Sequence, residues 1–126
     1  MKNFMIVDDS MMIRMNLKRI FEGCGHKVVA EAANGKEAVE KYVQHKPDVI
    51  TMDITMPIMD GIEALKEIKK ADRSVKVIMI SALGQEVKIL EALNNGACHY
   101  ILKPFKEADV IRMVESVITT PEPAAI

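Results

Sequence analysis

An α/β fold with one five-stranded parallel sheet is predicted for this 126-residue chain by two features of its sequence. Short apolar runs of strand type alternate five times with stretches of helical periodicity. Three of those runs, the first, third and fourth, are nearly continuous in apolar residues, as strands covered on both faces must be. Right-handed crossovers between parallel strands then favour an open, doubly wound sheet.

The first strand reads FMIVD (4–8). Ser10 can cap a helix over 10–24, where Ile13, Leu17, Ile20, Phe21 and Cys24 share one stripe. KVVAEA (27–32) is the second strand, and the helix over 35–46 gathers Ala38, Val39, Tyr42 and Val43. DVITMD (48–53) leads through a turn into a helix over 61–71 with Ile62, Leu65 and Ile68 inward. KVIMISA (76–82) precedes a helix over 85–95, whose apolar set is Val87, Leu90 and Leu93. HYILKP (99–104) is last, before a helix over 107–118 carrying Val110, Ile111, Val114, Val117 and Ile118. Gly25, Gly35 and Gly96 sit near helix ends, where a left-handed residue is easily accommodated. Residues 1–120 are expected to form one domain. The tail, 121–126, is expected to fray, since it has two prolines and little to bury.

Composition narrows the function. The mixture of 49% apolar and 28% charged residues is that of a globular protein, and a net charge of −1 leaves no nucleic-acid or membrane footprint. Aromatic residues at 4% are too few for base-stacking platforms. Cys24 and Cys98 have no metal-like spacing and read as free thiols of a reducing cytosol. Neither a signal-peptide core nor a membrane span is legible, so a soluble cytoplasmic protein is expected, a monomer by default. The ten methionines read as adaptable filler, and the cluster Met11, Met12 and Met15 as packing in preference to a docking surface. His26, His45 and His99 lack ligand spacing and are expected at the surface.

In open parallel sheets, ligands bind beyond the carboxyl ends of the strands. Here strand 1 ends in Asp8-Asp9, strand 3 in Asp53, strand 4 in Ser81 and strand 5 in Lys103-Pro104. Strand 2, ending in Ala32-Ala33-Asn34, brings nothing so reactive. Each residue alone has an ordinary explanation as a helix start, a turn hydroxyl or a surface lysine. Their coincidence on one edge does not. Clustered carboxylates repel, and the usual remedy is a hard divalent cation, for which Mg²⁺ suits carboxylates and phosphate oxygens together. A carboxylate can be the nucleophile of phosphoryl transfer, giving an aspartyl phosphate. Lys103 would then supply the cationic clamp, Ser81 a hydrogen bond, and Ala82 room for the incoming group.

The combination IVDDS, DVITMDITMPIMDG, VIMISA and YILKPF closely resembles the receiver domain of two-component response regulators, over residues 3 to about 118. Within that family, DITMP followed by MDGIEALKEI, with SALGQ after strand 4, is similar to the stand-alone chemotaxis receivers. The resemblance implies a flavodoxin-like (βα)5 fold with strand order 2-1-3-4-5. It makes Asp53 the phosphoacceptor. Asp9 becomes a direct Mg²⁺ ligand and Asp8 one acting through water, joined by Asp53 and the backbone carbonyl of Thr55. Ser81, in place of the commoner threonine, and Tyr100 become the switch pair. Lys103 becomes the phosphate-binding lysine, with a cis bond to Pro104. Thr55 and Leu83 fall where the family tunes dephosphorylation, and neither offers an acid or amide.

The implied partners are a histidine kinase as phosphodonor, a phosphatase, and the flagellar motor switch protein. Such a protein is a signalling module rather than an enzyme, although it catalyses its own phosphorylation and dephosphorylation. The alternative is a phosphorelay intermediate or another receiver unconnected with the flagellum. An aspartyl phosphatase would want an acid two residues after Asp53, where Thr55 stands. A flavodoxin-like cofactor binder would want a Ser/Thr/Gly-rich loop where DDSMMIR places acids.

Overall fold

Strands and helices alternate strictly: β1 (Asn3–Val7), α1 (Met11–Gly23), β2 (Lys27–Ala32), α2 (Gly35–His45), β3 (Val49–Asp53), α3 (Gly61–Ala71), β4 (Lys76–Ser81), α4 (Glu86–Asn94), β5 (His99–Leu102) and α5 (Glu107–Thr119). All pairings are parallel, in the order β2-β1-β3-β4-β5. The computed structural model describes residues 1–119, so the expected tail lies outside the described residues. The expected boundaries agree to within one or two residues, the largest difference being β5, which stops two residues early at Leu102.

The strand period of two sorts the core into layers. Phe4 and Ile6 of β1 join Leu17, Ile20 and Phe21 of α1 and Val110, Val114 and Val117 of α5 on one face. Met5 and Val7 join Ala38 and Tyr42 of α2, Ile62, Leu65 and Ile68 of α3, and Ile89 of α4 on the other. β4 alternates the same way, with Ile78 and Ile80 on the first face and Val77 and Met79 on the second. Each helix is started by a side chain where the sequence offers one. Ser10, Asn34 and Asp60 accept hydrogen bonds from Ile13, Glu37 and Glu63 backbone N–H groups. Gly25 and Gly96 do take left-handed backbones, whereas Gly35 does not; Lys46 caps α2 in that conformation instead.

Polar ties gather at the amino edge of the sheet. The Asn3 N–H donates to Asp48 Oδ2 at 2.8 Å, and Lys76 Nζ donates to the Val117 carbonyl at 2.7 Å. The Tyr42 hydroxyl donates to Asp72. Burial and then that bond push the Tyr42 phenol up, while bonds from Ser74 and then Tyr42 hold the Asp72 carboxyl down.

Several expected faces are corrected. Val87, Leu90 and Leu93 do not face the core: α4 buries Ile89 and Ala92, leaving Val87 83% and Leu90 59% exposed. Both sets have helical spacing, and the sheet takes the side with Ala92, which lets α4 approach closely. Val43 and Cys24 are exposed for a similar reason, each lying at the margin of its stripe. Met11, Met12 and Met15 are exposed, Met12 at 81%, so the packing reading fails for them; Met5, Met52, Met56 and Met79 are core. His26 is half-buried against the Phe4 ring, at 5.0 Å between centroids.

Two glycines, Gly35 and Gly61, are demanded by proximity, not by φ. A Cβ on Gly61 would meet the Asp53 backbone oxygen at 2.0 Å, whereas a Cβ on Gly23 meets nothing within 4 Å. Gly61→Ala is therefore expected to lower stability by about 2–4 kcal/mol in urea unfolding. Gly23→Ala should be neutral or raise it by up to about 1 kcal/mol. Equal effects would remove the close approach of α3 to the end of β3.

Candidate functional site

β1 and β3 are adjacent although β2 lies between them in the chain, so the carboxyl ends of these two central strands form the switch point of the sheet. Asp53 closes β3 and Asp8 follows β1. Asp8 is fully buried, and Asp53 is only 6% exposed; Asp9 faces solvent. One carboxylate oxygen from each of Asp8, Asp9 and Asp53 lies within 4.8 Å of the others. Lys103, just beyond β5, brings its Nζ to 2.9 Å from Asp8 Oδ2 and 3.5 Å from Asp53 Oδ1.

Asp8 is held from three sides. Its Oδ1 accepts from the Ser10 N–H at 2.9 Å, and its Oδ2 accepts from Lys103. Its backbone carbonyl accepts from Arg14 Nη1 at 2.6 Å, while Arg14 Nε donates to Glu31 Oε1 at 3.1 Å. Lys103 is fixed at its backbone too, donating its N–H to the Ser81 carbonyl at 2.7 Å, and its bond to Pro104 is cis, as expected. Beyond Asp53 the chain makes a tight turn, with the Met59 N–H donating to the Pro57 carbonyl and Ile58 at φ +72°. For a β-branched residue that conformation is strained, which marks this loop as constrained by its surroundings. The Gly61 N–H then donates back to the Ile54 carbonyl at 2.8 Å and seats α3 on the strand end.

Three carboxylates and one ammonium leave the cluster net negative. Burial first, and then the charge of Asp8, push the Asp53 carboxyl up to about 6, against the pull of Lys103. Burial opposes the charge of Lys103, but its bond to Asp8 and the charges of Asp53 and Asp8 outweigh that, and its ammonium is held above the usual lysine range. Oxygen ligands in this number, with this charge deficit, fit a hard divalent cation. The Ser81 hydroxyl points to the same conclusion about an incoming group: it is buried and has no hydrogen-bond partner among the described residues. Thr51 Oγ1, deeper in β3, is in the same position.

The expected site residues thus assemble: Asp8, Asp9, Asp53 and Lys103 in contact or near contact, Ser81 at the adjoining strand end, and Thr55 exposed in the loop after Asp53. Tyr100 stands apart on β5, 37% exposed. Sequence reasoning missed Arg14 and Gln85. Arg14 lies in the helix after the acidic pair, where nothing in its spacing marks it as a ligand of the Asp8 carbonyl. Gln85 joins the loops on either side of the pocket, its Oε1 accepting from the Ala82 N–H and its Nε2 donating to Thr55 Oγ1.

The sequence pattern of the response regulator receiver domain matches residues 4–115. The chain belongs to the receiver family. Its receiver sequence is 49% identical to the chemotaxis protein CheY of Thermotoga maritima over 116 residues, covering 92% of this chain and 97% of that one. It is also 49% identical to CheY of Bacillus subtilis over 114 residues, covering 90% and 95%. Among solved structures, the receiver in the CheX-CheY-BeF3-Mg²⁺ complex from Borrelia burgdorferi superimposes with a TM-score of 0.89 at 44% identity, covering 94% of this chain and 90% of that one. The chain is a signalling receiver of CheY type, and the fold and strand order expected of it are those observed. Among the described residues no helix is long and apolar enough to cross a membrane.

The elevated Asp53 carboxyl has a stability consequence. Its ordinary value is 3.8 and its folded value about 6, so between these the folded chain binds more protons than the unfolded one. Stability from this group therefore falls as pH rises through the window, and the cost is complete above it. In metal-free buffer, Asp53→Asn is expected to exceed the wild type by on the order of 2 kcal/mol near pH 7.5, with the gap closing towards pH 4. Urea midpoints at both pH values measure it, and a gap independent of pH would mean that charge is not its origin.

Proposed function

We propose that this receiver accepts a phosphoryl group on Asp53 from the phosphohistidine of a histidine kinase, with Mg²⁺ bound, and signals through a contact with a second protein. The observation that carries the reading is the bridging position of Lys103, 2.9 Å from Asp8 and 3.5 Å from Asp53, beside a three-carboxylate cluster. A carboxylate nucleophile, a fixed cation and a metal-competent acid pair are the parts that phosphoryl transfer needs. One Asp53 oxygen bonds to phosphorus as the P–N bond breaks, and the electron pair leaves with the imidazole, which takes a proton from solvent. Lys103 stays paired with the developing phosphoryl oxygens, and the Ser81 hydroxyl gains the partner it lacks. Asp9 directly, Asp8 through water, Asp53 and the Thr55 backbone carbonyl would hold the ion. Bound Mg²⁺ supplies charge neutralisation that keeps Asp53 ionised and offsets the charge of the phosphoryl oxygens.

On modification, Ser81 turns toward the phosphoryl group and Tyr100 fills the vacated space, biasing α4 and β5. Exposed Val87 and Leu90 on α4, and Tyr100 and Leu102 on β5, give that element apolar surface for a protein partner. The similarity to chemotaxis proteins supports the flagellar motor switch protein as that partner, a chemotaxis-type kinase as donor, a phosphatase for reversal, and a cytoplasmic setting. We take residues 1–120 as the receiver unit. A phosphorelay intermediate shares the same pocket and is separated from this reading by its partner alone.

With acetyl phosphate and Mg²⁺, intact mass should show a labile gain of one phosphoryl group, absent without Mg²⁺ and absent in Asp53→Asn. No gain under any condition would end the phosphoacceptor reading. Leu90→Glu, at an exposed position, should leave that gain intact and weaken capture of the flagellar switch protein by at least about tenfold. Unchanged capture, or capture of a histidine phosphotransfer protein instead, would favour the phosphorelay.

A further inference from the structure

Gln85 immediately precedes α4, yet its side chain makes no capping bond to that helix. It folds back instead. Its Oε1 accepts from the Ala82 N–H at 2.8 Å and its Nε2 donates to Thr55 Oγ1 at 2.7 Å. Ala82 follows Ser81 at the end of β4, and Thr55 lies two residues beyond Asp53 at the end of β3. A single carboxamide therefore ties together the two loops that flank Asp53. An amide side chain is suited to this because it carries an acceptor and a donor on one planar group. The left-handed Gly84, at φ +90°, turns the chain so that Gln85 can reach back. At the end of β4 the polar groups are divided: the Ser81 hydroxyl has no partner among the described residues, and the adjacent Ala82 N–H is taken by Gln85.

We propose that Gln85 is a latch on the Asp53 pocket, holding the Ala82 N–H and the Thr55 hydroxyl together while Asp53 is unmodified and releasing the Ala82 N–H when a phosphoryl group is built there. The inference rests on the phosphoacceptor reading above and adds a residue that sets its equilibrium. A phosphoryl group brings about −1.5 to −2 charges and three strong acceptor oxygens to the strand edge. A backbone N–H bonds an oxyanion roughly twice as strongly as a neutral carboxamide. The Ala82 N–H thus gains by exchanging partners, and Gln85 is left holding Thr55 alone. The loss of the Gln85 bond to the Ala82 N–H opposes modification by about two- to tenfold. Gln85 is consequently a positioning residue: it acts on the reacting group through the donor that it occupies.

The test uses the ¹⁵N-labelled full chain as wild type, Gln85→Ala, Gln85→Asn and Thr55→Val. Asn keeps the amide but is one methylene too short to span both partners; Val keeps the shape of Thr55 and removes its hydroxyl. Amide exchange at Ala82 is followed without donor, and phosphoryl gain is followed by mass with acetyl phosphate and Mg²⁺. Beryllofluoride with Mg²⁺ is titrated against the Ala82 amide resonance. The latch requires a protected Ala82 amide in the wild type, with protection lost by about tenfold or more in Gln85→Ala and Gln85→Asn and partly in Thr55→Val. It also requires phosphoryl gain about two- to tenfold faster in the two Gln85 variants, with beryllofluoride saturating at correspondingly lower concentration. Equal Ala82 exchange in wild type and variants overturns the strap itself. Lost protection with unchanged or slower gain overturns the latch and leaves Gln85 as a prop for the loop. Gain at one rate in all four chains is failure of the latch alone, whereas no gain in any of them, wild type included, is failure of the phosphoacceptor reading on which it rests.

Discussion

The contact of Lys103 with Asp8 at 2.9 Å and Asp53 at 3.5 Å is the constraint around which the carboxyl edge is organised. Two nearly buried carboxylates and a third at the surface would repel one another severely without it, and even with it the Asp53 carboxyl is driven upward. The pocket therefore stores a charge deficit. A folded chain keeps such an arrangement only if the backbone leaves it no cheaper geometry. Here the Lys103 N–H is bound to the Ser81 carbonyl, and the Asp8 carbonyl is bound to Arg14, so the backbone from which each side chain reaches into the pocket is fixed.

The sheet makes this possible with little special machinery. In the register of β1 on β3, Val7 pairs with Met52, so Asp8 and Asp53 follow side by side one step later. Ser81 pairs with Leu102 across β4 and β5, which brings Lys103 level with the same edge. Helix packing then closes the site from below. Gly61 lets α3 lie against the Asp53 backbone, and Gly35 lies so close to the Met59 carbonyl that its added Cβ would sit 2.5 Å away. Packing on both faces, more than any bond within the site, holds the four strand ends in line.

The parts legible in the sequence were those that follow from periodicity. Apolar runs ending on Asp8, Asp53, Ser81 and Lys103 implied one edge because parallel strands must point the same way. The family resemblance supplied roles that spacing alone leaves open. Illegible were the features that depend on choice between equivalent patterns. Helix α4 carries Val87, Leu90 and Leu93 on one side and Ile89 and Ala92 on another, and the second side is the one buried. Met11, Met12 and Met15 look like filler by composition, but they share the solvent-exposed face of α1, while Ile13 between them packs on the core. Gln85 was hidden for a different reason. Its role exists only once two loops distant in sequence have been brought within reach of one side chain.

The ties at the amino edge have a bearing on how this chain can change over generations. Asn3 with Asp48, Lys76 with the end of α5, and Tyr42 with Asp72 lie at the end of the sheet remote from the acids. Those bonds need nothing from the loops that carry chemistry. Exposed positions in the loops after β3 and β4 are accordingly separated from these ties by β1, β3 and β4, which are short, apolar and almost wholly buried. One foundation can thus carry loops of different sequence at exposed positions such as Thr55 and Leu83.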